Sequence, residues 1–80
     1  MNTTEAIKIR ILTLCGERNI SLNKLATISG LSPSSLKSIL YGRSLNPTIK
    51  TIKILCDGLD ITLGEFFSSP EFDSLEQEIK

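Results

Sequence analysis

Residues 21–41, SLNKLATISGLSPSSLKSILY, predict two short helices joined by a tight turn. The first serine is a favoured N-cap residue, and Gly30 can adopt the left-handed conformation that ends a helix. Ser32 then offers a second N-cap, and Pro33 takes the first helical position, where its missing N–H is not needed. The second helix is therefore expected from about Pro33 to Tyr41.

The spacing within this pair suits two helices that cross closely. Ala26 is small enough for a close approach, Gly30 can form the turn, and Leu36 and Ile39 lie where the second helix would pack on the first. A tight helical hairpin without any binding role uses the same residue types. Packing alone therefore remains an alternative explanation of this pattern.

The outward face of the second helix is polar. Leu36 marks the centre of the buried side, and each residue turns the helix by about 100°. The residues that then point away from the core are Ser34, Ser38 and Tyr41, flanked by Lys37 and Ser35. Short polar side chains and a lysine suit a helix that enters the DNA major groove, although they suit a plain solvated surface equally well.

Helices 1 and 5 are predicted from their capping boxes. Asn2 can cap helix 1, with Glu5 three residues on, and apolar residues then recur at helical spacing. Thr62 and Glu65 form a second box, so a short helix is expected over 63–67.

Helix 4 is predicted between two glycines that mark helix ends, Gly42 after the preceding helix and Gly58 at its own end. Its N-cap is Thr48 or, alternatively, Asn46 with Pro47 at the first helical position. The apolar residues expected on one side of it are Ile49, Ile52, Leu55, Cys56 and Leu59. With almost no strand signal, the chain is expected to be all-α, a compact five-helix orthogonal bundle.

Pro70 is expected to close the compact part. This divides the chain into a domain over 1–69 and an acidic C-terminal tail or short helix over 70–80. Apolar residues in the tail recur at helical spacing, so a frayed amphipathic helix and a disordered segment are both open.

The net charge of zero hides a strong asymmetry. Residues 1–53 contain eight basic and two acidic residues, a net of +6, whereas residues 54–80 contain one basic and seven acidic residues, a net of −6. This distribution suggests that the first part of the chain meets an anion, although charges that simply coat solvated faces would also explain it.

Composition excludes several classes of protein. An 80-residue chain has room for one domain. Two cysteines and no histidine exclude the usual zinc fingers and the Ser-His and Cys-His catalytic pairs. We expect no enzymatic activity, cofactor or metal, and we expect both cysteines to be buried and reduced rather than to form a redox switch. The apolar stretch Ile7–Cys15 is too short for a membrane span of about 20 residues, and no signal-peptide cleavage site follows it, so a cytoplasmic location is expected.

The segment SLNKLATISGLSPSSLKSILYGRSLNPTIKTIKILCDGLDITLGEFF resembles the Cro and lambda-repressor-like (XRE-type) helix-turn-helix domains. The resemblance covers residues 11–67. The matching marks include the Ser21 cap, Gly30-Leu31-Ser32, Asn46-Pro47-Thr48 and the closing Leu63-Gly64-Glu65-Phe66-Phe67. The resemblance implies a five-helix domain, usually dimeric, that binds double-stranded DNA and regulates transcription in bacteria, a phage or a mobile element.

The resemblance also implies which residues would contact DNA. Those at the bases would be Pro33, Ser34, Ser35, Lys37 and Ser38. Those along the phosphates would be Ser21, Leu22, Asn23, Tyr41, Arg43, Ser44 and Asn46. Leu22 stands where the family usually has a glutamine. Helix 3 also lacks the Arg, Asn and Gln side chains that make bidentate base contacts, so we expect few direct contacts to the bases.

A homodimer on an inverted repeat is expected, acting as a repressor, with no small-molecule effector and no membrane contact. Apolar residues that would be available to a two-fold partner are Ile9, Leu12, Ile54, Phe66, Phe67, Phe72, Leu75 and Ile79. The alternative is a helical module that binds a protein partner, such as an antitoxin or anti-repressor component.

Overall fold

The computed structural model describes residues 2–41 and 47–79, and in these ranges it contains helices and no strands. The helices are α1 (Thr3–Glu17), α2 (Leu22–Ser29), α3 (Pro33–Tyr41), α4 (Ile49–Leu59), α5 (Leu63–Phe67) and α6 (Pro70–Asp73). The all-α prediction is confirmed. The five predicted helices are present, and the described residues contain one further helix, α6, which is only four residues long.

The helix starts follow the predicted caps because capping depends on residues close together in the chain. The side-chain oxygens of Asn2 and Ser21 accept the Glu5 and Lys24 amides at 2.8 and 3.0 Å. Thr48, one of the two alternatives for α4, accepts the amide three residues on at 3.2 Å. The second predicted capping box, at the start of α5, is complete.

The predicted end of α4 is wrong. Gly58 lies inside the helix, which continues to Leu59 and ends at Asp60 with a φ of 58°. A Cβ atom at Gly58 would overlap the hydroxyl oxygen of Ser29 on α2. This glycine therefore allows α2 and α4 to approach closely, and an aspartate takes the left-handed position instead. Gly42, the predicted end of α3, is outside the described residues.

One apolar cluster joins the helices. Its buried members are Ile7, Ile11, Leu14, Cys15, Leu25, Ala26, Leu36, Leu40, Ile52, Leu55, Cys56, Leu59 and Phe66. Ile49, predicted on the buried side of α4, is instead 63% exposed. It lies in the first turn, at the edge of the stripe that starts with Ile52.

The chain stays packed beyond Pro70, contrary to the prediction that this residue closes the compact part. Pro70 occupies the first turn of α6, and the Phe72 ring lies 4.9 Å from Phe67 and 6.0 Å from Phe66, centroid to centroid. The Thr3 hydroxyl on α1 donates to the Glu78 carboxylate at 3.0 Å. Of the two alternatives for the tail, a short helix forms at its start, but it does not extend to Ile79, which is 88% exposed.

Both cysteines are free and buried, as predicted. Burial raises the pKa of the Cys15 thiol, and the nearby Arg18 opposes this shift in part. Burial likewise raises the pKa of Cys56. Both side chains therefore act as small apolar groups of the core.

Candidate nucleic-acid interface

The turn between α2 and α3 sets the geometry of the candidate interface. Gly30 has a φ of 72°, and its amide bonds to the Thr27 carbonyl at 3.2 Å. The next amide, that of Leu31, reaches back to the Ala26 carbonyl at 2.9 Å, which closes the end of α2. Ala26 is fully buried where the two helices meet the core. The predicted helix pair and its turn are thus present.

The outward face of α3 is free of packing. Leu36 and Leu40 are buried at 0% and 1% exposure and fix the inner side of the helix. All five residues expected at the bases are exposed: Pro33, Ser34, Ser35, Lys37 and Ser38. The Ser32 hydroxyl caps α3 by accepting the Ser35 amide at 3.1 Å. The Ser35 hydroxyl lies 2.9 Å from that of Ser32, so it is already hydrogen-bonded.

The start of α2 presents Ser21 and Asn23, which are both exposed. The Ser21 hydroxyl is occupied by the Lys24 amide. Leu22, where the family usually has a glutamine, packs its side chain against the core, so it offers only its backbone amide. The first-turn amides of a helix have no partner within the helix and carry its positive dipole end, which favours anions.

Tyr41, at the end of α3, is 60% exposed, and the Lys8 ammonium lies over its ring, 4.7 Å from the centroid. Lys8 belongs to α1 and was not among the residues predicted from the sequence. No local pattern points to it, because only the packing of α1 against the rest of the bundle brings it to α3. The other residues expected along the phosphates, Arg43, Ser44 and Asn46, lie outside the described residues.

The basic excess of residues 1–53 is not all available to a ligand. The Arg10 guanidinium donates to the backbone carbonyls of Phe66 and Glu65, both at 2.7 Å. Lys53 forms an ion pair with Asp57 one turn along α4. These two cations are therefore committed within the domain.

The apolar residues expected at a dimer surface differ in exposure. Phe66 is fully buried in its own core, so it cannot contact a partner, and Phe67 and Phe72 are partly buried beside it. Ile9 and Leu12 on α1 are each 37% exposed. Ile54 is partly buried.

Over 2–41 and 47–79, no cluster of three or more Cys, Asp or Glu residues is arranged to hold a metal ion. No helix there is long and apolar enough to cross a membrane.

Residues 10–71 match the Cro/C1-type HTH DNA-binding domain. The fold is similar to the crystal structure of prophage Lp1 protein 11, with a TM-score of 0.80 and 33% sequence identity over 94% of this chain and 100% of that chain. No curated protein matches the sequence. Since the family match spans more than half of the chain, the resemblance seen in the sequence is confirmed, and the chain belongs to the family of Cro/C1-type HTH DNA-binding domains.

Proposed function

We propose that this protein is a sequence-specific regulator of transcription that inserts α3 into the major groove of double-stranded DNA. The observation that carries the proposal is the outer face of α3. It is exposed along its whole length, has no apolar residue beyond Pro33 and Tyr41, and belongs to a helix pair of the Cro/C1 type.

Base reading would depend mainly on Ser34, Lys37 and Ser38. A lysine can donate to guanine, and serine hydroxyls can both donate and accept, directly or through water. Since Lys37 is the one side chain of these three that can bond to two guanine acceptors at once, the shape and flexibility of the DNA would supply part of the specificity.

We place the phosphate contacts on either side of this face. The exposed start of α2 would receive one phosphate through the Leu22 and Asn23 amides, with Asn23 able to donate from its side chain. At the other side, Tyr41 would donate its hydroxyl, and Arg43, Ser44 and Asn46 would extend the contact.

We propose a homodimer on an inverted repeat, because a dimer with two-fold symmetry presents two copies of α3 to two half-sites related by the same symmetry. Ile9 and Leu12 lie one turn apart on α1 and are partly exposed, which supports a partner surface there. Repression, by occupying a promoter, is the regulatory outcome we propose.

The test is selection from a random-sequence duplex pool at low and at moderate salt, followed by sequencing of the bound fraction. We expect an inverted repeat with half-sites about 10 base pairs apart. Light scattering with and without the selected duplex gives the oligomeric state, and a monomer in both conditions would remove the dimer.

A matched pair of variants locates the reading helix. Lys37→Ala should weaken binding, whereas Lys53→Ala, which removes an equal charge already paired with Asp57, should change it little. If the wild type binds no duplex even at low salt and instead co-purifies with a protein, the chain is a protein-interaction module and the proposal fails.

A further inference from the structure

We propose that Lys8 of α1 and Tyr41 of α3 form one two-part contact to a phosphate of the DNA backbone, in which Lys8 supplies the charge and also holds the Tyr41 ring. This inference rests on the proposed function. It adds a residue from outside the helix-turn-helix pair to the interface.

Tyr41 lies on the same face of α3 as the exposed serines. Taking about 100° per residue, Ser34, Ser38 and Tyr41 fall within about 60° of one another around α3 and form a single ridge about 10 Å long. Tyr41 is therefore the last residue of the same face that carries the serines. The side chain is 60% exposed and lies at the edge of that face.

The Lys8 charge has no opposite charge beside it among the described residues. An ammonium over an aromatic ring is attracted by the negative face of the ring, but the ring carries no net charge to neutralise it. Lys53 differs, because the Asp57 carboxylate offsets its charge. Arg10 keeps its charge as well, but hydrogen bonds to two backbone carbonyls fix its side chain against α5. Lys8 is thus a positioned cation that has no carboxylate partner among the described residues and lies at the edge of the α3 face.

The Lys8 ammonium is pre-organised by the Tyr41 ring. A lysine has three ammonium donors, and a ring beneath it engages at most one, so donors remain for an anion. Because the Lys8 side chain is already held at 4.7 Å from the ring centroid, it loses less conformational freedom when a phosphate arrives. The ring in turn is held in place under the ammonium, so the two polar groups lie on neighbouring parts of one surface.

The experiment measures the salt dependence of affinity for the selected duplex and for a random duplex, with thermal unfolding recorded for every variant. Lys8→Met should reduce the slope of log K against log salt by about 0.9, the value for one phosphate contact in B-DNA. It should weaken binding to both duplexes by the same factor, since a phosphate contact carries no sequence information. Lys8→Arg should restore the slope, because it keeps a cation that can stack on the ring.

Tyr41→Phe separates the two parts of the contact. It keeps the ring under Lys8 but removes the hydroxyl, so the slope should stay near that of the wild type while affinity falls several-fold. In a double-mutant cycle, Lys8→Met and Tyr41→Ala should be less than additive, since each removes part of the same contact.

The matched control is Lys53→Met, which lowers the net charge equally at a paired position. If Lys8→Met and Lys53→Met have the same slope, the inference is overturned while the proposed function stands, provided that Lys37→Ala still weakens binding. If the wild type binds neither duplex, the proposed function and this inference fall together.

Discussion

In the α5–α6 region, Phe66, Phe67 and Phe72 pack with ring centroids between 4.9 and 6.0 Å apart, whereas at the end of α3 the ring of Tyr41 is largely exposed. A cation from α1 reaches each region. Arg10 bonds to carbonyls at the end of α5, and Lys8 lies over Tyr41.

Lys8 and Arg10 diverge because two residues turn a helix by about 200°. Arg10 and the phenylalanine cluster thus stabilise the packing of the bundle, whereas Lys8 and Tyr41 lie at its surface. Substitutions in the first region should change the free energy of unfolding, and those in the second should change DNA binding.

The largest effect is expected from Phe66→Ala. This ring is fully buried at the centre of the aromatic cluster, and its removal leaves a cavity, so the free energy of unfolding should fall by about 3–5 kcal/mol. Urea denaturation followed by circular dichroism measures it. Ile49→Ala, at a 63% exposed position, is the control and should cost about 0.5 kcal/mol or less. Equal losses for the two variants would contradict this assignment of the core.

The next effect is expected from Arg10→Met, which keeps the apolar stem but removes both hydrogen bonds to the α5 carbonyls. We expect a loss of about 2 kcal/mol, because a charged donor is lost from two carbonyls, that of Phe66 partly buried and that of Glu65 exposed. Lys8→Met, on the other side of α1, should cost about 1 kcal/mol or less. The comparison between the two regions breaks down if Lys8→Met destabilises the fold more than Arg10→Met does.

Gly58→Ala tests the close approach of α2 and α4. The overlap of the new Cβ with the Ser29 hydroxyl should outweigh the better helix propensity of alanine, for a net loss of about 1 kcal/mol. The double variant Ser29→Ala/Gly58→Ala removes the overlapping oxygen and should recover that loss. Thermal unfolding of the single and double variants checks both statements, and a single variant more stable than the wild type would refute the first.

The smallest effect concerns the thiols. Burial raises the pKa of Cys15 and Cys56 in the folded state, so the unfolded chain releases these protons at lower pH than the folded one does. Their contribution to stability is therefore complete below the ordinary thiol pKa and is lost as pH rises through the folded values. The urea midpoint should fall between about pH 8 and about pH 10. The fall should be smaller in Cys15→Ala/Cys56→Ala, and an identical fall would assign it to other groups.

Local chemistry explains which parts of the fold were predictable. Ser21 bonds to the amide three residues away, so the sequence alone locates the start of α2. For α4 the sequence offers both Asn46 and Thr48 as the N-cap, and the structure shows that Thr48 makes the equivalent bond. The predicted end of α4 at Gly58 is wrong because a glycine that ends a helix and one that permits a close contact between helices look the same in a sequence. Pro70 was misread for a similar reason, since proline both follows compact segments and begins helices.

Local sequence was enough to predict the helix-turn-helix pair, the inner side of α3 and the polar face opposite it, because capping and helical periodicity act over a few residues. The partners of the α1 cations, in contrast, follow only from the packing of the helices. Arg10 meets carbonyls of α5, and Lys8 meets Tyr41, although each partner is distant in the chain. Such pairings arise from the packing of α1 on the other helices, and a charge count along the chain does not contain that information.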